Sequence, residues 1–301
     1  MTAPKLLVLD IDNTVFDWVA YYSRACSELL RAVGTIVKVP YEQIASQARD
    51  VFTTHGSIEY PFVVQELPAV VEHYGADIDA MLKDCVAPAR EAFKDMALKY
   101  LVPYEGVRAT LDDLKSRHPK VPRVALTDAP RYVAMWKLNK LGLLTDIDAV
   151  YGLPDPRLPT DTAMGRVKVD PEILLKHLQQ SNFGFSGRIR ILPDDYEKPG
   201  TKGLKTVLMD FDMDESPEAR RSVLWVGDNL RKDIGLGNRL GVRTAWAEYG
   251  TKLDQKLLNE LKEFSPASSI HKNVMLTADS PDAPQPDRTL ARFADIVSEF
   301  T

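Results

Sequence analysis

The chain has 301 residues, 45% hydrophobic and 27% charged, which is room for a packed core in one large domain or two modest ones. A net charge of −5 with no basic stripe argues against a nucleic-acid binder, and no apolar run approaches the length of a membrane span. No signal peptide is read, and the two cysteines, Cys26 and Cys85, fit no metal or CxxC spacing; small core residues in a reducing, cytoplasmic compartment are expected.

The first element is the aliphatic run Leu6, Leu7, Val8 and Leu9, the pattern of a strand covered on both faces. The same type returns at 121–126 (VPRVAL), 223–226 (VLWV) and 242–247 (VRTAWA). The segment DIGLGNRLG between the last two reads as a helix, so strand, helix and strand form a βαβ unit in a parallel sheet. Between the first two strands lie some ninety residues of helical character. Residues 16–33 carry Trp18, Tyr22, Cys26, Leu29 and Leu30 on one stripe, 41–52 and 61–73 suit helices, and 78–100 suits a long helix that Pro88 must kink or break. The expected architecture is therefore α/β: a Rossmann-like parallel-sheet core of residues 1–16 and 105–301, with an α-helical cap of residues 17–104 inserted after the first strand.

Within the core, residues 103–119 read as a turn and helix. Residues 152–197 read as an irregular extension with one helix at 171–180, and the proline-rich 265–289 as a surface loop. The closing TLARFADIVSEF is expected to be a helix that docks through Leu290, Phe293, Ala294, Val297 and Phe300.

Three stretches end predicted strands with chemistry-bearing residues: LDIDNT (Asp10, Asp12, Thr14), ALTDA (Thr127, Asp128) and VGDNLRKD (Asp228, Asp233). In a parallel sheet the strand C-termini form one rim, and ligands bind there. Asp10 and Asp12 point to the same side of an extended backbone, where like charges repel unless a cation or proton relieves them. With Asp228 the rim holds three carboxylates and no nearby His or Cys, a donor set suited to Mg²⁺. Lys198, in DDYEKPGTKG, would balance the acids and hold an anionic oxygen. Such a site suits a phosphate monoester. An ionised Asp attacks phosphorus, a protonated Asp gives its proton to the leaving oxygen, and Thr14, Thr127 and backbone N–H groups hold the phosphoryl oxygens. The five histidines match no ligand spacing, and the aromatic residues Trp18, Tyr21 and Tyr22 read as packing within the helical block.

The order DxDxT, strand-end Thr, Lys and GDxxxxD resembles the haloacid dehalogenase superfamily. The resemblance implies that Asp10 is the nucleophile forming an aspartyl-phosphate and Asp12 the acid/base. It places Mg²⁺ on the Asp10 side chain, the Asp12 carbonyl and Asp228, with Asp233 a ligand through water or a brace of the loop. Asp128 would lend its backbone N–H to the phosphate. The founding dehalogenases lack the second Asp of the first motif, so Asp12 marks the phosphatase branch. The spacing from Thr127 to Lys198 is longer than usual; Lys198 is preferred to Lys202, and Lys168 stands third. The expected activity is hydrolysis of a small phosphorylated metabolite, with no nucleic-acid or membrane partner. The alternatives are a phosphotransferase or mutase with the same intermediate and a catalytically silent binding protein. The loop 54–62, between two cap helices, is a candidate for substrate contact.

Overall fold

The computed structural model describes residues 3–155, 182–267 and 283–301. Strands β1 (Leu6–Leu9), β2 (Arg123–Pro130), β3 (Ala149–Leu153), β4 (Arg188–Ile191), β5 (Val223–Gly227), β6 (Arg243–Ala247) and β7 (Arg288–Leu290) form one parallel sheet in the order β4-β3-β2-β1-β5-β6-β7. All four residues of β1 are buried, as its unbroken aliphatic run requires at the centre of a sheet covered on both faces. Alternate residues serve opposite faces: Leu7 and Leu9 join one apolar cluster, Leu6 and Val8 the other.

The four predicted strands are present. β3, β4 and β7 were not anticipated, and β7 takes in Arg288 and Thr289 from the expected surface loop. The two edge strands β4 and β7 are short, charged and mostly exposed, the composition by which edges avoid further pairing and the one that hides them from a hydrophobicity pattern. The remainder of the 152–197 extension includes a 3₁₀ turn at Asp194–Tyr196. The helix expected at 171–180, Lys168, and residues 268–282 of the loop lie outside the described residues. The C-terminal segment is a 3₁₀ helix, Phe293–Phe300, not an α-helix. Its buried residues are accordingly Phe293, Ile296 and Phe300, and Leu290 docks from β7.

The helical block opens with α1 (Trp18–Val37) and α2 (Tyr41–His55). The predicted stripe of α1 is buried. The helix expected over 61–73 is split at Leu67, ahead of Pro68, into Val63–Glu66 and Pro68–Tyr74. Pro88 is accommodated by a π-helical turn, Leu82–Val86, which joins Ile78–Met81 to Ala87–Tyr100. α1 packs on Ala87–Tyr100 and on Gln255–Phe264, a helix that follows β6. The chain leaves and re-enters the sheet region at adjacent points: Phe16 bridges Pro103, and the Tyr104 N–H donates to the Val15 carbonyl at 3.0 Å. Cys26 and Cys85 are unpaired and buried. Among the described residues, no helix is long and apolar enough to cross a membrane.

Candidate active site

Strand register decides what meets at the rim. Leu9 lies beside Ala125 on one flank and Val226 on the other. Asp10 follows Leu9 directly, while Thr127 and Asp228 each lie two residues past the matched position, so the three motifs emerge together. The turn after β1 is set by Asn13, which takes a left-handed conformation (φ 54°) and accepts the Trp18 N–H on Oδ1 at 3.0 Å. Asp17 then caps α1 by accepting the Ala20 N–H at 2.8 Å. The chain thus reverses within a few residues and leaves Asp10 and Asp12 facing a cavity of about 180 Å³.

Asp10 is buried, with Oδ1 2.8 Å from Lys198 Nζ. The same ammonium lies 2.8 Å from Asp233 Oδ1. Carboxylate oxygens of Asp10, Asp228 and Asp233 all lie within 4.8 Å of one another. Burial pushes Asp10 up to about 7 against the pull of Lys198, with Asp233 and Asp12 adding to the rise. Asp228 is raised well above the usual carboxylate range by burial, then by Asp233 and Asp10. Burial works against the charge on Lys198, but Asp10 and Asp233 outweigh it and raise its pKa well above the ordinary value. Carboxylates crowded this closely are relieved by a cation, and their all-oxygen donor set fits Mg²⁺.

Two indoles brace the acidic loop: Trp225 Nε1 donates to the Asp233 carbonyl at 2.9 Å and Trp246 Nε1 to the Asp228 carbonyl at 2.7 Å. Asp233 Oδ2 accepts the Asn229 N–H at 3.0 Å, and Asn229 Oδ1 accepts from the N–H groups of Arg231 and Lys232. A Cβ at Gly227 would fall 2.4 Å from Asp233 Cγ, so the glycine gives that carboxyl its space.

Of the predicted residues, Asp10, Asp12, Thr127, Asp128, Lys198, Asp228 and Asp233 all line the cavity. Lys202 does not; it is exposed and paired with Asp195. Thr14 is fully buried and absent from the described lining, and its hydroxyl has no hydrogen-bond partner among the described residues. Thr127 Oγ1 accepts the Ala129 N–H at 3.1 Å. The Asp128 side chain serves its neighbours: Oδ1 accepts the Lys198 N–H at 2.9 Å and Oδ2 lies 3.0 Å from Lys232 Nζ.

Sequence reasoning missed Lys137. It lies on the helix after β2, Arg131–Leu141, and is fully buried. Its Nζ donates to Asp12 Oδ1 at 2.9 Å and to Glu59 Oε1 at 3.3 Å, and sits 5.7 Å from the ring centroids of Phe16 and Tyr21. Burial opposes its charge, but Asp12 and Glu59 outweigh that and raise its pKa. Burial in turn raises Asp12, against the pull of Lys137 and with the push of Glu59. Trp18 Nε1 also donates to Glu59 Oε1, at 3.1 Å. Gly56, Ser57, Ile58 and Glu59 of the 54–62 loop face the cavity, and so does Trp18, for which the sequence favours packing over substrate stacking.

A parallel sheet whose strand tips gather carboxylates around one lysine is the arrangement of a Rossmann-like hydrolase. The pattern of the haloacid dehalogenase-like hydrolases matches residues 4–241, and the chain belongs to that family. Among solved structures, it is similar to YfnB from Bacillus subtilis, bound to magnesium, at 14% identity with 100% of both chains covered and a TM-score of 0.52. It is also similar to 2-haloacid dehalogenase from Pseudomonas syringae pv. Tomato DC3000, at 14% identity over 99% of this chain and 98% of that one, TM-score 0.50. These likenesses concern the fold. No curated protein matches the sequence.

Proposed function

We propose that this hydrolase is a magnesium-dependent phosphatase that cleaves a small phosphate monoester through an aspartyl-phosphate on Asp10. One observation carries the reading: Asp10 and Asp12 share a cavity but answer to different lysines, Asp10 to Lys198 at 2.8 Å and Asp12 to Lys137 at 2.9 Å. Two carboxyls with separate partners can hold separate protonation states and take separate roles. Asp12 also distinguishes the site from that of a dehalogenase, which needs no second acid.

Asp10 attacks phosphorus, forming the acyl–phosphate bond as the bond to the leaving oxygen breaks. Asp12 delivers its proton to that oxygen. A water molecule then attacks phosphorus, Asp12 takes its proton back, and the Asp10 carboxylate and inorganic phosphate are released. Lys198 stands beside Asp10 to meet the phosphoryl charge. The Asp10 side chain, the Asp12 carbonyl and Asp228 would hold Mg²⁺. Both oxygens of Asp233 are engaged, by Lys198 and the Asn229 N–H, which favours its role as a brace. Bound Mg²⁺ supplies charge balance among the acids and for the phosphoryl oxygens. Residues 17–104 act as a cap whose closeness to the rim limits substrate size. Two unpaired, buried thiols fit a reducing, cytoplasmic compartment.

The test is release of phosphate from a panel of phosphorylated metabolites. Asp10→Asn should lose at least about 10³-fold in kcat, the scale seen when a catalytic group is removed, with its melting temperature kept. Turnover at wild-type rate would refute the nucleophile. EDTA should silence the enzyme and Mg²⁺ restore it; hydrolysis indifferent to chelation would remove the metal from the reading.

A further inference from the structure

The cavity has two chemically different walls. On the sheet side stand its two lining lysines, and both are committed: Lys198 to Asp10 and Asp233, each at 2.8 Å, and Lys232 to Asp128 at 3.0 Å. Trp18 and residues 56–59 of the helical block form another part of the lining, where among the described residues the charged group is Glu59. Its carboxylate is not free to swing away. Oε1 accepts from both Trp18 Nε1 and Lys137 Nζ, and the Tyr22 hydroxyl holds the adjacent Ile58 carbonyl. Lys137 has no exposure and is absent from the lining, whereas the Glu59 side chain is partly exposed there, so this pair turns its anionic end to the cavity. A leaving group reaching that wall therefore meets the anionic end of a fixed ion pair.

We infer that Glu59 is a specificity-determining residue that restricts the enzyme to phosphate esters whose leaving group is uncharged or cationic at that wall, carrying hydroxyl or amine donors, and turns away those bearing a second acidic group. The inference rests on the phosphatase reading and adds the substrate class to it. The physical basis is asymmetric. A hydroxyl or ammonium can donate to the carboxylate, whereas a substrate carboxylate brings like charge into a confined space with no uncommitted lysine on the described lining.

Glycerol 3-phosphate and 3-phosphoglycerate test this directly, since they differ by CH₂OH against COO⁻ at the same position. Purified wild-type enzyme with Mg²⁺ should favour glycerol 3-phosphate in kcat/KM by about tenfold or more, the factor that a single like-charge contact of modest strength produces. Glu59→Gln, nearly the same shape without the charge, should narrow the ratio to within about threefold. Ser57→Asp, adding charge to the same wall, should widen it. Equal hydrolysis of the two esters by wild type, or an unchanged ratio in a Glu59→Gln protein of normal melting temperature, would overturn the inference while leaving the phosphatase reading intact. Should Glu59→Gln fail to fold, the wild-type ratio and its shift in Ser57→Asp decide the matter. If no phosphate ester of a broad panel is hydrolysed, the phosphatase reading falls and takes this inference with it.

Discussion

At Lys137 an ammonium with no exposure is held by two half-buried carboxylates from different parts of the chain, Asp12 at the end of β1 and Glu59 in the 54–62 loop. Such a group has no reason to be charged except its partners, so it fixes their separation as much as they fix it. Lys137→Met would keep the apolar stem and delete the charge. Asp12 and Glu59 would then repel and Asp12 would lose its orientation. The expected result is a fall in kcat of about ten- to a hundredfold, the cost of misplacing an acting group, with a smaller change in KM and partial recovery in Lys137→Arg. An unchanged kcat in the folded Met variant would show that Asp12 needs no such support. Lys137 was illegible in the sequence because a lysine between Trp136 and Leu138 reads as one polar position of an amphipathic helix. Asp10, Asp12 and Asp228 were legible because a buried strand excludes unpartnered carboxylates, so acids that close an apolar run stand out. Thr14 belongs to the same motif, yet its side chain is fully buried, which the motif alone does not reveal.

Among the elements, β1, β2, β5 and β6 declared themselves as apolar runs, whereas the edge strands β4 and β7 did not, and the short internal β3 was missed as well. A strand buried on both faces must be continuously apolar, whereas β7 can afford Arg288 and Thr289 and is kept in register by a side chain outside it. Asp287 accepts from Arg221 through both guanidinium NH groups at 2.9 and 2.8 Å, from the Thr244 N–H of β6 at 2.9 Å, and lies 3.2 Å from Thr244 Oγ1. Burial works against its charge, but Arg221 and Thr244 outweigh burial and hold the carboxyl below the usual carboxylate range. A lowered folded value means that this clip is fully present above the unfolded aspartate value of about 3.9 and is lost as pH falls through the folded one. Asp287→Asn should therefore lower stability at pH 7 by about 1 kcal/mol, allowing for solvent screening of a partly exposed pair. Denaturation curves of the two proteins should converge below about pH 4. A constant gap from pH 7 to pH 3 would mean that charge is not what holds β7 in place.

On the scale of the whole molecule, the sequence suggested two bodies, and the packing joins them. One apolar cluster runs from Leu7 and Leu9 of the sheet, through α1 and α2, to Leu261 and Phe264 of the helix after β6. Phe264 is fully buried and meets Tyr22 of α1 and Phe52 of α2 at centroid distances of 6.3 and 6.5 Å. Polar contacts follow the same seam: Arg24 lies 2.9 Å from Glu260, and the Tyr41 hydroxyl donates to Glu263 at 2.9 Å. The core helix thus supplies part of the floor on which the helical block stands, so the block cannot lose its packing without exposing apolar surface of the core. Phe264→Ala should cost about 3–5 kcal/mol, as truncation of a buried aromatic does. The loss should appear as a downward shift of a single thermal transition, with far-UV and near-UV signals moving together, because the residue belongs to both parts at once. Two separated transitions in that variant, the first carrying only helical signal, would show that the helical block is held by its own contacts and that the seam contributes little.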